Sequence, residues 1–391
     1  MLGIRREEKN KWERRVPLVP SQVAKLVAEG VKVLVEPSPN RCYPDQEYAK
    51  AGATITDDLS AATVIMGVKE VPIDKLLSDK TYLFFAHIIK AQDYNMPLMD
   101  VMLARNIRLF DYECIRALPA PHPRLVAFGD YAGKAGMADF FRGLGEFLLQ
   151  IGHATPFIHQ GSCYMYPDLE RVKLSIKTFG EMIADQGLPP ALSPMVFCFT
   201  SNGLVSRGAQ DMFKLLPHEF INPDELEGLL ANPPPDARHK VYGTIVEGKH
   251  MVARKDGGEF DKAEYYAKPE LYRPVFHERY AKHISIIVNC MFWDYKFPRV
   301  LTCEQMKSLD GRLVGVCDIT CDYKGSVEFL THFTSIEEPF VVYDPEANKI
   351  KMKIGEASPG DVLYHAVDHL PAELPREASE HFGGCVLPFV K

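Results

Sequence analysis

The sequence predicts an α/β protein of two domains, each with a mostly parallel β-sheet. At 391 residues the chain is longer than one compact core usually supports. Its first 130 residues alternate strand-like and helix-like segments, which is typical of parallel strands joined by crossover helices. A second series of such segments begins near residue 195. Together these observations favour two Rossmann-like domains.

The first domain is predicted to contain short buried strands separated by helices. A helix is expected to open at Pro20 and to end at Gly30, with Val23, Leu26 and Val27 on its apolar face. The remaining segments of this region are predicted as strands at 31–36, 61–68, 81–88 and 107–111 and as a helix at 96–104.

A long helix is predicted over 131–151, because apolar side chains recur there with helical spacing. Such a stripe is typical of a core or interface helix, and its length also suits a connector between two domains. The second domain is expected to begin with the strand 195–199, a glycine-containing loop and a helix. Beyond it we predict strands at 284–290 and 313–318, a hairpin at 340–354, and an insertion with short helices at 256–283.

Composition argues against several classes of protein. A formal net charge of −7 and a pI near 6.0 give no general basic field, so no nucleic-acid partner is expected. Nine cysteines without CxxC spacing favour reduced thiols in an intracellular compartment, and no metal site is predicted. No apolar stretch reaches eighteen residues, so no membrane partner is expected. The N-terminus shows no signal or transit leader, so a leader for organelle import would be absent from this chain.

Two ionisable side chains follow strand-like apolar runs and give the first indication of an enzyme. Lys69 follows the run 64–66, and His87 follows the run 82–86. The C-terminal ends of strands in an open α/β sheet face the ligand crevice, so this pair is expected to transfer protons there. Arg15 and Arg124 could bind a dicarboxylate, since guanidinium groups match carboxylates. Each residue alone could equally be structural: a surface lysine, a core histidine or two solvated arginines.

The strand 195–199 and the helix after it have the arrangement that holds a dinucleotide pyrophosphate. Gly203 and Gly208 stand at two of the expected glycine positions. Thr200 and Ser206 replace others, so the GxGxxG pattern is not matched. A purely structural turn is the alternative.

The cofactor preference depends on the strand that follows this helix. It is predicted to run through Phe220 and Ile221, and an acid at its tip would grip a ribose 2′-hydroxyl. Asn222 stands there instead, ahead of Asp224, and Arg207 lies in the glycine loop. These features favour NADP(H) over NAD(H).

Several motifs resemble the alanine dehydrogenase and transhydrogenase superfamily: ERRVPLVP at 13–20, VKE at 68–70, AH at 86–87 and FGDYAG at 128–133. Within it, the chain resembles the lysine-forming saccharopine dehydrogenases through AFGDYAGKAG at 127–136, VDHLP at 367–371 and LPREAS at 374–379. It resembles in particular the lysine–ketoglutarate reductase half of the bifunctional aminoadipic semialdehyde synthases, through FCFTSNGLVSRGAQ at 197–210 and VCDITCDYKGSVEF at 316–329. The similarity covers essentially the whole chain.

The resemblance implies an oxidoreductase that condenses L-lysine with 2-oxoglutarate reductively, using NADPH, to give saccharopine in the first step of lysine degradation. On this pattern Lys69 is the general base for the substrate amine, and His87 handles protons on the keto and carbinolamine oxygens. The other implied residues bind carboxylates (Arg15, Arg124), contact the substrates (Gln92, Phe128) or tune the charge of the lysine (Glu113).

The resemblance also implies an NADP(H) site. Gly203 and Leu204 correspond to the pyrophosphate loop, with Arg207 beside them. Further cofactor contacts are implied at strand ends and in the C-terminal motif: Phe292, Asp318, Ile319, Asp322, Val367, Asp368, His369 and Leu370.

For the architecture, the resemblance implies two domains around a cleft, linked by the long helix. The first, a substrate domain, would be discontinuous and comprise residues 1–130 and about 370–391, and the dinucleotide-binding domain would comprise 131–369. A glutamate-forming saccharopine dehydrogenase half as partner, an oligomer and a mitochondrial matrix location are implied as well, with a cytoplasmic location as the alternative.

Two other functions stay open on the sequence. An alanine dehydrogenase-like enzyme would share Lys69 and His87, but the 256–283 insertion and the DHLP motif at 368–371 argue against it. A non-catalytic dinucleotide-binding regulatory module is favoured only by the irregular glycine loop. Because the chain ends at Lys391, we expect either a monofunctional reductase or a fragment of the bifunctional enzyme.

Overall fold

The computed structural model describes the chain except residues 92, 118–123, 310 and 391. The chain forms two compact units. Unit 1 comprises Met1–Phe128 and Leu374–Lys391, and unit 2 comprises Gly129–Glu373. The sequence analysis placed these boundaries at 130 and about 370. Within the described residues, no helix has the length and apolar character needed to cross a membrane.

The described α-helices are α1 Pro20–Ala28, α2 Asp45–Lys50, α3 Met96–Ala104, α4 Gly129–Gln150, α5 Leu169–Gln186, α6 Leu204–Phe213, α7 Leu226–Ala231, α8 Gly248–Met251, α9 Lys262–Ala267, α10 Phe276–Arg279, α11 Cys303–Lys307 and α12 Pro375–Val390. The described strands are β1 Leu2–Ile4, β2 Val33–Val35, β3 Thr54–Ile55, β4 Val64–Met66, β5 Thr81–Phe84, β6 Arg108–Asp111, β7 Val196–Thr200, β8 His218–Phe220, β9 Val241–Val246, β10 Val252–Arg254, β11 Tyr272–Pro274, β12 Ile286–Asn289, β13 Gly315–Asp318, β14 Phe340–Asp344, β15 Lys349–Lys351 and β16 Val362–His365.

The sheet of unit 1 has six parallel strands in the order β3-β2-β1-β4-β5-β6. Its central strands are short apolar runs, as expected where both faces of a parallel sheet are covered. The strand order reverses between β1 and β4, which is the switch point at which open α/β sheets bind ligands. The residues that follow β1, β4, β5 and β6 therefore gather at the ligand-binding end of this sheet.

The C-terminal helix α12 belongs to the core of unit 1. The Val16 N–H donates to Ser379 Oγ over 2.9 Å, and the Phe382 ring stacks on Phe128 with centroids 4.8 Å apart. Gly383 allows α12 to approach α1 closely, because a Cβ there would lie 2.0 Å from Gln22 Oε1. The chain thus returns to its first unit through packing between segments more than 250 residues apart in sequence.

The sheet of unit 2 has eight strands in the order β15-β14-β16-β13-β12-β7-β9-β8. The strands from β16 to β8 in this order are parallel, while β14 and β15 form an antiparallel hairpin beside β16. The strand β8, which directly follows α6 in sequence, lies at the edge and does not neighbour β7. Instead β9 lies between them.

Most predicted segments are present within a few residues, including α1, α3, α4, β7, β12, β13 and the β14–β15 hairpin. The 256–283 insertion contains, besides short helices, the strand β11, which pairs with β10. Several elements were not predicted, among them α5, α12, β9 and β16. Gly243 interrupts the apolar pattern of β9, and it is needed there because a Cβ would lie 2.7 Å from the Phe220 ring and 2.9 Å from the Phe213 ring.

Candidate active site

Four ionisable side chains of unit 1 follow parallel strands at the ligand-binding end of its sheet. Glu7 follows β1, Lys69 follows β4, His87 follows β5 and Glu113 follows β6. Lys69 and His87 thus follow neighbouring strands. Because β1 and β4 flank the point where the strand order reverses, this arrangement is typical of a binding or catalytic site.

Glu7 fixes the backbone on which Lys69 stands. Its Oε1 accepts the Val68 N–H over 2.6 Å, and its Oε2 accepts the Lys69 N–H over 2.9 Å. Burial and the nearby Glu13 carboxylate raise the pKa of Glu7 to about 7, although these two N–H groups oppose the rise. Glu7 was not predicted from the sequence. It could have been found because it follows β1 closely, as Lys69 follows β4.

Arg15 is buried and held by a partner that was not predicted, Glu13. Its Nε and Nη2 donate to the two Glu13 oxygens over 2.8 and 2.6 Å, and its guanidinium lies 4.3 Å from the centre of the Phe128 ring. Burial alone would raise the pKa of Glu13, but Arg15 and then Lys69 hold it below its usual value. A substrate carboxylate at Arg15 would therefore have to bind at the Nη1–Nη2 edge of the guanidinium, since Glu13 occupies the Nε–Nη2 edge.

His87 is held between two carboxylates. Its Nδ1 lies 3.1 Å from Glu113 Oε2, and its Nε2 lies 3.8 Å from Oε1 of Glu70, the residue after Lys69. The ring also stacks on Phe85, with centroids 6.2 Å apart. A proton on Nδ1, donated to Glu113, leaves Nε2 as the atom that can exchange a proton with a substrate. Glu70 was also missed, although it adjoins the predicted lysine.

Arg124 completes this chain of charges. Its Nη1 lies 2.9 Å from Glu113 Oε1, so one carboxylate joins the imidazole to the guanidinium. The side chain of Arg124 is 43% exposed and is therefore open to a ligand. The structure thus brings the predicted residues Arg124, Glu113 and His87 into contact, although Glu113 was expected to act on Lys69 and not on His87. Gln92 lies outside the described residues.

Unit 2 has a cavity of about 520 Å³ at the C-terminal ends of β7, β9 and β12. The predicted residues Gly203, Arg207 and Phe292 line it. It is also lined by charged and aromatic side chains that the sequence analysis did not single out: Glu247, Lys249, Lys262, Tyr265, Trp293 and Arg299.

The two glycines of the predicted pyrophosphate loop have different roles. Gly203 directly precedes α6, and a Cβ there would meet no atom within 4 Å, so the backbone beside the cavity is open. Gly208 instead packs against α4, since a Cβ there would lie 2.1 Å from the Asp130 carbonyl oxygen. An open glycine, a helix N-terminus and a cationic Arg207 at one cavity fit the phosphates of a dinucleotide.

A buried hydrogen-bond network joins the ends of β7, β12 and β13. Thr200 Oγ1 donates to Asn289 Oδ1 over 3.0 Å, and Asn289 Nδ2 donates to Asp318 Oδ1 over 2.8 Å. The Tyr364 hydroxyl donates to Asp318 Oδ2 over 2.6 Å. Both Asp318 oxygens thus bind donors of the protein. The predicted cofactor contact of Asp318 is therefore not supported, because its side chain holds strand ends together.

The remaining predicted cofactor residues differ in exposure. Ile319, Val367 and Leu370 are buried. Ile319 and Leu370 pack closely against Gly136 of α4, because a Cβ on Gly136 would lie 2.8 Å from Ile319 and 3.0 Å from Leu370. Only backbone atoms of these three residues could reach a ligand. The others reach solvent: Leu204, Phe292, Asp322 and Asp368 are exposed, and His369 is half-buried beside Asp368.

Known protein structures and one family model are similar to parts or all of this chain. Residues 3–135 match the family model for the alanine dehydrogenase/PNT N-terminal domain. An L-alanine dehydrogenase structure has a similar fold, with a TM-score of 0.61 and 18% identity over 100% of this chain and 88% of that one. A transhydrogenase structure from Sinorhizobium meliloti has a TM-score of 0.58 and 15% identity over 100% and 92% of the two chains. The predicted α/β class with Rossmann-like, mostly parallel sheets is confirmed.

Curated relatives cover the chain from end to end. The alpha-aminoadipic semialdehyde synthase of Arabidopsis thaliana is 44% identical over 100% of this chain and 38% of that protein. The mitochondrial alpha-aminoadipic semialdehyde synthase of Rattus norvegicus is 38% identical over 100% of this chain and 43% of that protein. The NAD(+)-using, L-lysine-forming saccharopine dehydrogenase of Neurospora crassa is 27% identical over 99% of this chain and 90% of that protein.

Fold and strand-end residues together define a two-unit α/β protein whose fold is similar to that of alanine dehydrogenase and transhydrogenase. In sequence, the chain is similar along its whole length to the alpha-aminoadipic semialdehyde synthases and the lysine-forming saccharopine dehydrogenases, as the motifs implied. It spans about two fifths of the length of the synthases that it matches.

Proposed function

We propose that the chain catalyses the reductive condensation of L-lysine with 2-oxoglutarate to saccharopine. The observation that carries this proposal is the set of strand-end groups in unit 1. Lys69 and His87 follow neighbouring strands, and Glu113 links His87 to Arg124. Such a set can move protons and bind a carboxylate, in a chain similar throughout to proteins named saccharopine dehydrogenase.

The reaction requires several proton transfers. The substrate ε-amine must lose a proton before it attacks the keto carbon, and the resulting carbinolamine must lose water to form an imine. A reduced nicotinamide, when bound, supplies the hydride for this imine. We assign the first transfer to Lys69, because its backbone is fixed by Glu7 at the ligand-binding end of the sheet.

His87 is the proposed acid for loss of the carbinolamine hydroxyl as water. Its Nδ1 faces Glu113, so a proton on Nε2 can be given to the leaving oxygen while the Glu113 carboxylate stabilises the ring. Arg124 shares that carboxylate and limits its negative charge. In this assignment Glu113 positions the histidine and the arginine together.

The two arginines are proposed to bind the carboxylates of 2-oxoglutarate. Arg124 is partly exposed and offers its remaining donors to solvent or ligand. Arg15 would bind through its Nη1–Nη2 edge, with Glu13 and Phe128 fixing its orientation. Phe128 therefore supports Arg15, and the contact of Gln92 with substrate stays a proposal that follows from the family resemblance.

The proposed hydride donor is a reduced nicotinamide dinucleotide held at the unit 2 cavity. Gly203 supplies open backbone there, and Arg207 and Lys249 supply positive charge. We propose NADPH as the donor, because these two cations suit a 2′-phosphate. The Neurospora crassa relative is named for NAD(+), so the comparison with NADH belongs in the same experiment.

The cellular setting is proposed from the synthase relatives. The chain spans about two fifths of those proteins, so we propose that it works fused to or beside a glutamate-forming saccharopine dehydrogenase half. The Rattus norvegicus relative is named as mitochondrial, which favours the mitochondrial matrix over the cytoplasm.

The activity is tested by following NADPH consumption with L-lysine and 2-oxoglutarate, and separately with ammonia and pyruvate. We expect oxidation only with the first pair, with saccharopine as the product. Oxidation with ammonia and pyruvate alone would instead indicate an alanine dehydrogenase-like enzyme. Dinucleotide binding without turnover of either pair would indicate the regulatory module.

A further inference from the structure

The order of strands in unit 2 changes which residue can contact the cofactor ribose. In a dinucleotide-binding sheet, the acid that accepts the ribose 2′-hydroxyl stands at the tip of the strand beside the first strand. The sequence analysis took that strand to be β8, whose tip carries Asn222 ahead of Asp224. In the structure β8 is at the sheet edge, and β9 is the neighbour of β7.

The tip of β9 carries an acid. Thr200, the last residue of β7, pairs with Val246, the last residue of β9, and the Ser201 N–H donates to the Val246 carbonyl over 2.7 Å. Glu247 therefore stands beside Ser201, at the start of the loop that leads through Gly203 into α6. If β8 were the neighbour of β7, as the second strand of such a sheet usually is, the residue at the tip of β8 would occupy this position.

Glu247 lines the 520 Å³ cavity together with cationic residues, among them Arg207 and Lys249. All three residues are exposed, and Gly203 opens on the same cavity. The cavity thus presents opposite charges at the place where NADH has a 2′-hydroxyl and NADPH has a doubly charged phosphate.

We infer that Glu247 determines the choice between NADH and NADPH, in opposition to Arg207 and Lys249. This inference rests on the proposed dehydrogenase function and deepens it. The Glu247 carboxylate accepts hydrogen bonds from the ribose hydroxyl of NADH and repels the 2′-phosphate of NADPH. The two cations attract that phosphate. Each of these side chains therefore biases the choice between the two donors in its own direction.

The test compares the intact chain with Glu247→Gln and Lys249→Gln, and Asp224→Asn is the matched control at the tip of β8. Dissociation constants for NADH and NADPH are measured by nucleotide fluorescence in the absence of substrates. The ratio of kcat/KM values for the two donors is measured with L-lysine and 2-oxoglutarate. Asn at position 224 retains an oxygen that can accept the Tyr280 hydroxyl, which donates to Asp224 over 2.7 Å.

Glu247→Gln is expected to shift both ratios about tenfold toward NADPH, and Lys249→Gln is expected to shift them toward NADH. Asp224→Asn should leave both ratios unchanged. The inference is overturned if Glu247→Gln moves the ratios no further than the control, or if Asp224→Asn moves them instead. If both nucleotides bind with the expected shifts but no turnover occurs, the proposed reaction is wrong. The role of Glu247 in the choice between NADH and NADPH would still be supported. Failure of the wild-type chain to bind either nucleotide would overturn both.

Discussion

The two units use the C-terminal ends of their parallel strands for opposite purposes. In unit 1 these ends carry ionisable side chains in direct contact, such as His87 with Glu113 and Glu113 with Arg124. In unit 2 they carry a closed network in which Asn289 and Asp318 satisfy each other and their neighbours, beside an open cavity. The first arrangement suits proton transfer, and the second holds strand ends rigidly while leaving backbone and cavity for a ligand.

The units also differ in strand order. Unit 1 has the strand order 3-2-1-4-5-6. The residues that follow its strands therefore lie at the ligand-binding end of the sheet, as expected for residues at the C-terminal ends of parallel strands. In unit 2, β9 lies between β7 and β8. The order of strands in the sequence therefore wrongly identifies β8 as the neighbour of β7. The comparison shows that a strand-end residue is informative only when the neighbours of its strand are known.

The largest expected effect is on Lys69, the proposed base of unit 1. Lys69→Met should lower kcat for the condensation roughly a thousandfold, in the range for loss of general acid–base catalysis. The dissociation constant of NADPH should not change, because the proposed nucleotide site is in unit 2. The control Lys75→Met removes an exposed lysine from the connection that follows β4. Wild-type turnover in Lys69→Met would show that Lys69 is not the base of the reaction.

The next effect concerns substrate binding at Arg124. Arg124→Gln should raise the KM for 2-oxoglutarate about tenfold or more, since a charge-assisted hydrogen bond is lost, and should change the KM for NADPH much less. Initial-rate kinetics with each substrate varied in turn measures both values. Arg116→Gln, at the position opposite Arg124 across an isolated β-bridge, is the matched control. An equal rise in both KM values would mean that Arg124 is not a carboxylate ligand.

A stability effect is expected at Asp318 in unit 2. Asp318→Ala removes the acceptor of the buried Tyr364 hydroxyl and of the Cys321 N–H, and one of the acceptors of Asn289 Nδ2, so the free energy of unfolding should fall by about 3 kcal/mol. Chemical denaturation at neutral pH measures this loss. Asp322→Ala removes an exposed carboxylate nearby and should cost about 0.5 kcal/mol or less. If Asp318→Ala were stable but bound the nucleotide more weakly, the result would support the predicted contact between Asp318 and the cofactor.

The smallest expected effect is the pH dependence that Glu7 contributes. Its pKa is about 7 in the folded chain, against 4.5 as the ordinary value. Between pH 4.5 and 7 the unfolded chain therefore releases a proton that the folded chain keeps, and stability falls as pH rises. Glu7→Gln should remove this fall, which amounts to at most about 3 kcal/mol. Denaturation at a series of pH values measures it, with Glu8→Gln as the charge-matched control. An unchanged pH slope in Glu7→Gln would show that Glu7 is not protonated near neutral pH.

Much of the fold followed from local patterns. The apolar runs before Lys69 and His87 became β4 and β5, and the helical stripe at 131–151 became α4 within two residues at its start. The side chains that hold the predicted residues in place could not be predicted from local patterns. Glu13 and Glu70 are adjacent or nearly adjacent in sequence to predicted residues, yet only the folded chain shows which side chains they bind.

By itself the sequence determined that the chain is an α/β protein, and that Lys69 and His87 follow two of its strands. Those features depend on periodicity and on residues close together in the chain, so they are visible without coordinates. Only the tertiary structure decided that Glu7 supports Lys69, which residues of unit 1 the helix α12 packs against, and that β9 rather than β8 neighbours β7. Strand order depends on how distant apolar faces bury one another, and no local pattern encodes that choice.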